Sequence, residues 1–174
     1  MKENGPNYMK VDNVNIHNPH NVDLSKITIK GDGALHIGPG AEIRQGTILE
    51  FGSGILKIGR NSVIGYMSFM QITGEIDIGA GTLIGPHCDI IASKHTVIPG
   101  KNTVELPLQR GKVTIGDNIW IGAHCTINCG VTIGDSSIIG ANSFVNKSIV
   151  PGDKGPCVYG GVPAKFIKYV KDMK

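Results

Sequence analysis

Six residues separate each of Ile115, Ile121, Ile127, Ile133, Ile139 and Val145 from the next, and the positions between them are mostly small or polar. The same beat runs through Ile37, Ile43 and Leu49, then Ile58, Ile64 and Met70, then Ile78, Ile84 and Ile90, which makes fifteen beats in five sets of three. Three extra residues follow Leu49, two follow Met70 and nineteen follow Ile90, so every slip comes after a third beat. An amphipathic helix repeats its apolar positions at three and four. Six is a multiple of the strand period of two and keeps each beat residue on one side of the backbone. A prism-like coil with three short strands per turn explains both features, because every insertion then leaves from the same edge. Repeats this short are the mark of a parallel β-helix, whose turns bury their apolar sides only by stacking on one another.

Four residues after many beats the side chain is small: Ala41, Thr47, Ser62, Ser68, Thr82, Cys88, Cys125, Ser137 and Ser143. These positions are expected to point inward near the corners. Cys88 and Cys125 fall on the same beat of adjacent turns and are expected as stacked core thiols. The spacing of the four cysteines forms no zinc-finger or CxxC pattern, and free thiols are expected. The organisation expected is a single domain: a cap over 1–26 with a strand in KITIKG, a β-helix over 27–150 interrupted by a loop at 92–112, and a C-terminal loop and helix over 151–174. In that last segment Phe166, Ile167 and Val170 form a stripe, and Pro163 suits a first helical turn.

Composition agrees with this pattern. Aromatic residues make up 5% of the 174-residue chain, which carries 25 glycines. No apolar run is long enough to span a membrane, and the N-terminus lacks the apolar centre of a secretory signal, so a cytoplasmic location is expected. The net charge is +3. Without a large basic surface or interleaved aromatics, nucleic acid is not an expected partner. The lysines gather toward the C-terminus, where clustered charge attracts a small polyanion.

IGPHCDIIASKH, then the interruption, then VTIGDNIWIGAHCTINCGVTIGDSSIIGANSFVNKSI, then GGVPAKFIK, resembles the hexapeptide-repeat acyltransferases. The similarity is to the galactoside, maltose and xenobiotic O-acetyltransferases and their polysaccharide-modifying relatives, and it is dense over residues 78–170. It implies an all-β fold, a left-handed parallel β-helix of about five three-strand coils with one edge loop and a short C-terminal helix. It also implies a homotrimer with active sites between subunits. The sugar acetyltransferases begin with a helical segment that this chain lacks, since its beat starts by Ile37.

The chemistry the resemblance implies is acetyl transfer from acetyl-CoA to a hydroxyl of a sugar or surface-polysaccharide precursor. A hydroxyl is a weak nucleophile, so a base must take its proton as it attacks the thioester. His95 matches the family base. It lies just inside the interruption, so the arm has a purpose: a smooth prism has no cleft. For the cofactor the motif matches are Trp120, Ala123 and Ala141 along the coil, with Lys147, Lys165 and Lys168 toward the phosphates. Trp120 is equally suited to anchor an interface. Tyr66, Met67 and Phe69 include outward positions suited to burial by another subunit. No cysteine stands as a nucleophile, which favours direct transfer in a ternary complex. His87 and His124 are expected as neighbours outside the coil, and no metal is expected. The alternatives are a streptogramin-type antibiotic acetyltransferase, an amino-sugar N-acetyltransferase, a γ-carbonic-anhydrase-like zinc protein and a non-catalytic scaffold.

Overall fold

The structure, a computed structural model, describes residues 8–11, 13–17, 22–151 and 155–172. It is an all-β parallel coil, consistent with the left-handed sense implied by the resemblance. Its three faces can be followed residue by residue. On the first, Ile37 pairs with Ile58, Ile58 with Ile78, Ile78 with Ile115, and Ile115 with Ile133. On the middle face the column is Ile43, Ile64, Ile84, Ile121 and Ile139. On the third it is Leu49, Met70, Ile90, Ile127 and Val145. The five expected coils are thus present, and all fifteen beat residues are buried. Incomplete coils extend the stack at both ends: Ile29 pairs with Leu49, while Ile149 bridges Ile133 and Tyr159 follows Ile139.

The nine small corner residues are all buried as well. Seven of them, all but Ala41 and Ser137, use a hydroxyl or thiol to satisfy backbone groups of the coil. The Ser62 hydroxyl donates to the Gly79 carbonyl at 2.6 Å and accepts from the Thr82 amide at 3.0 Å. One coil on, Thr82 does the same with the Gly116 carbonyl and the Ile119 amide, at 2.8 and 3.1 Å. Cys88 and Cys125 donate to the carbonyls of Gly122 and Gly140 at 3.2 and 3.1 Å. The hydrogen bond with Cys125 and burial hold the Cys88 thiol above its ordinary value. All four cysteines are free.

The glycines that follow beats serve close approach. A Cβ on Gly59 would overlap the backbone of Gly79 in the next coil. Left-handed backbone occurs instead at corners such as Asn61, Met67, His87 and His124. Gly59→Ala is expected to cost about 1–3 kcal/mol, because the coils must separate to admit one methyl group. Urea denaturation measures this, and an unchanged midpoint would contradict the packing.

The edge between the third and first faces takes up the slips. Ile48–Ile58 absorbs the first as one continuous strand across the edge. The largest becomes the arm: Ser93–His95 pairs antiparallel with Leu108–Arg110, and a 3-10 turn, Thr103–Glu105, lies between them.

The C-terminal helix is corrected. Lys165–Tyr169 is a strand, antiparallel to Cys157–Gly160, and only the three-residue 3-10 turn Val170–Asp172 follows. So short a segment gains little as an isolated helix, while the last coil offers a strand edge with unpaired backbone groups. Phe166 therefore packs edge-on to Tyr159, ring centroids 5.8 Å apart, instead of joining a helical stripe. The expected cap contains the hairpin of Tyr8–Val11 and Asn13–His17, and KITIKG lies largely within the strand Thr28–Ile37. The remainder of 1–21 lies outside the described residues.

Candidate functional site

The middle face is unlike the other two. The residue just before each beat points outward, and on this face it is Glu42 in the first coil and then Val63, Leu83, Trp120 and Ile138 in the four that follow. The corresponding residues on the first face are His36, Lys57, Asp77 and Thr114. The apolar column forms one wall of a groove of about 640 Å³. Its floor is Gly65, Gly85, Gly122 and Gly140, where the absence of side chains exposes backbone. Pro86, Ala123 and Ala141 follow along the far side, and Arg44 and Tyr66 close the N-terminal end. Trp120 is 51% exposed and lies between Leu83 and Ile138 in the column.

Three expected site residues, Trp120, Ala123 and Ala141, thus come together. Sequence reasoning missed Val63, Leu83, Ile138 and Arg44. The signal was available: the position before the beat is apolar in four successive coils of one face only. The expected lysines are all exposed and none lines the groove. Lys147 follows the last strand of the third face, whereas Lys165 and Lys168 lie on the terminal hairpin opposite Gly160 and Val158. That hairpin continues the coil beyond the Gly140 end of the groove, with the Gly140 amide donating to the Tyr159 carbonyl at 2.8 Å.

His95 is exposed at the end of the first arm strand, and neither it nor any other arm residue lines the groove. Its Nδ1 lies 2.9 Å from the Leu106 carbonyl oxygen. A carbonyl can only accept, so Nδ1 carries the proton of the neutral ring and Nε2 keeps its lone pair. The arm is tied at its root. The buried Ser93 hydroxyl donates to Gln71 Oε1 at 2.6 Å, and the Thr96 amide donates to the Pro107 carbonyl at 3.0 Å. The arrangement presents one basic nitrogen on a braced support.

His87 and His124 occupy equivalent left-handed corners beside the groove, and their rings stack with centroids 4.8 Å apart. Stacked rings do not converge on a point. Among the described residues no group of three or more histidine, cysteine, aspartate or glutamate side chains is placed to hold a metal ion. No helix among them is long and apolar enough to cross a membrane.

Residues 112–147 match the family described as bacterial transferase hexapeptide (six repeats). Nodulation protein L of Rhizobium meliloti (strain 1021) is 36% identical over 100 residues, 58% of this chain and 54% of that protein. The match thus spans about half the length of that curated relative. A hexapeptide-repeat containing acetyltransferase from Vibrio cholerae superposes with a TM-score of 0.70 at 31% identity, covering 79% of this chain and 74% of that one. AntD, an N-acyltransferase from Bacillus cereus solved with dTDP and 3-hydroxybutyryl-CoA, gives a TM-score of 0.69 at 26% identity over 91% of this chain and 81% of that one. On the six-residue coil, the arm that leaves its edge and these likenesses, the chain belongs to the hexapeptide-repeat acetyltransferase family.

Proposed function

We propose that the protein transfers an acetyl group from acetyl-CoA to a hydroxyl of a saccharide, with His95 as general base. The observation that carries this reading is the His95 Nδ1–Leu106 carbonyl hydrogen bond, which leaves Nε2 as the accepting nitrogen on a braced arm. In the reaction, Nε2 takes the acceptor hydroxyl proton as the oxygen attacks the thioester carbonyl carbon. The new C–O bond forms, the C–S bond breaks, and the imidazolium returns its proton to the departing thiolate. No side chain becomes acylated, so the two substrates are held together.

The groove on the middle face supports a donor-binding role. Its glycine floor has no side chains to hold a pantetheine arm away from the coil, and Trp120, Ala123 and Ala141 line it. Lys147, Lys165 and Lys168 lie toward the same end of the rod and act as point charges for the phosphates. A second acceptor class, amino sugars acylated on nitrogen, is favoured by the likeness to AntD, an N-acyltransferase also solved with dTDP-4-amino-4,6-dideoxyglucose.

The arm leaves the edge between the third and first faces, whereas the groove lies on the middle face. A threefold ring brings the arm of one copy to the groove of the next, and every site is then shared. Met67, 62% exposed beside the groove, supplies apolar surface for that contact.

Complementation tests this reading. A His95→Ala chain and an Ala141→Trp chain are each expected to release thiol from acetyl-CoA with a sugar panel at no more than about a hundredth of the parental rate. Co-expressed and mixed at random, they restore about a quarter of the sites, those with an intact arm from one copy and an intact groove from the next. Circular dichroism confirms that both variants fold. A site contained within one chain would recover nothing on mixing.

A further inference from the structure

A second cavity, of about 360 Å³, adjoins the N-terminal end of the groove and shares Arg44 and Tyr66 with it. Its character is opposite. Among the described residues Arg44 alone brings charge to the groove, whereas Asp23, Lys26, Glu42 and Gln45 join Arg44 and Tyr66 in the second cavity. Its two cations and two anions are matched in pairs: Lys26 lies 2.9 Å from Asp23, and Arg44 lies 2.7 Å from Glu42. Hydrogen bonds from Ser25 and the Lys26 ammonium hold the Asp23 carboxyl down to about 2, so it stays ionised.

Each pair leaves capacity for a ligand. The ion pair engages Glu42 through Oε2, which leaves Oε1 to accept from a hydroxyl. Gln45 can both donate and accept. The Tyr66 ring is half-exposed, and Arg44 lies 5.7 Å from its centroid while its Nη1 donates to the Tyr66 hydroxyl at 3.4 Å. An aromatic face flanked by balanced donors and acceptors fits a ring that is apolar on one side and bears hydroxyls around its rim. A phosphate or carboxylate fits poorly. It would have to displace a carboxylate already paired with each cation, and it would meet Asp23 and Glu42 as like charges.

We propose that this cavity is the acceptor subsite and that it takes the uncharged, hydroxyl-bearing ring of a saccharide in preference to a sugar nucleotide or a uronic acid. The proposal rests on the acetyl-transfer reading for its role, but the recognition chemistry can be tested apart from turnover. The groove then holds the donor, the cavity holds the acceptor, and Tyr66 stands at their junction.

Saturation-transfer NMR on the full chain, titrated with methyl β-galactoside, methyl α-mannoside, glucuronate and dTDP-glucose, tests the binding class. A neutral methyl glycoside is expected to bind with the lowest Kd. Glu42→Gln is expected to weaken it about tenfold, through loss of a charge-assisted hydrogen bond. Coenzyme A affinity, measured by calorimetry, is expected to stay that of the parent protein. Tighter binding of dTDP-glucose or glucuronate, no binding of either glycoside, or an unchanged Kd in Glu42→Gln would each overturn the assignment. A glycoside that binds in this way yet accepts no acetyl group would instead refute the proposed function and leave the binding site standing.

Discussion

Replacing His95 by alanine is expected to lower turnover by about 10²- to 10⁴-fold, the usual contribution of a general base. The side chain is exposed at the end of the arm's first strand and contributes nothing to the apolar core. The melting temperature should therefore hold. Added imidazole should restore part of the lost rate, because the vacated position then admits a free base; a merely structural role for His95 would show no such rescue. Thiol release from acetyl-CoA, followed at saturating acceptor, makes the measurement. Near-parental turnover in the variant would remove His95 from the chemistry.

The largest effect on stability is expected from the interior of a column. Ile127 has no exposed surface and lies between Ile90 and Val145 in the third face. Ile127→Ala is expected to cost about 2–5 kcal/mol, from lost transfer energy and the cavity left behind. The strand that carries it, Thr126–Ile127, has only two residues. It has little else with which to hold its place, and the coils above and below limit how far the site can collapse. Equilibrium denaturation reads the loss directly. A cost below about 1 kcal/mol would place Ile127 among ordinary surface positions.

The core was legible in the sequence because its rule is arithmetic. A residue every six positions, with slips at one edge, allows one three-sided stacking, and Ile37 through Val145 take it. The corner residues were legible for the same reason, since four residues after the beat the chain turns inward again, usually with a small side chain and with Ile119, Val131 and Ile149 as the larger ones. The C-terminal segment was not legible. Phe166, Ile167 and Val170 satisfy a helical spacing, and their conformation is decided by an unpaired strand edge supplied by Cys157–Gly160. Local pattern carries no trace of that edge. His95 was found through its motif. Its hydrogen bond to Leu106 depends on how a twelve-residue excursion, 96–107, folds back, and no periodicity describes that. Arg44 and Val63 went unnoticed because each is ordinary alone; their meaning comes from alignment along the rod, across coils about 20 residues apart in the chain.

The two ends of the stack share one device. Tyr8–Val11 turns back on Asn13–His17 at one end, and Lys165–Tyr169 turns back on Cys157–Gly160 at the other. A parallel solenoid is open-ended by nature, and any bare terminal turn is a template on which another molecule can add. Reversing the chain direction at both extremities offers an incoming turn the wrong polarity. Each reversal covers one face of its terminal turn, the first face at one extremity and the middle face at the other, and so removes part of the template for end-to-end growth.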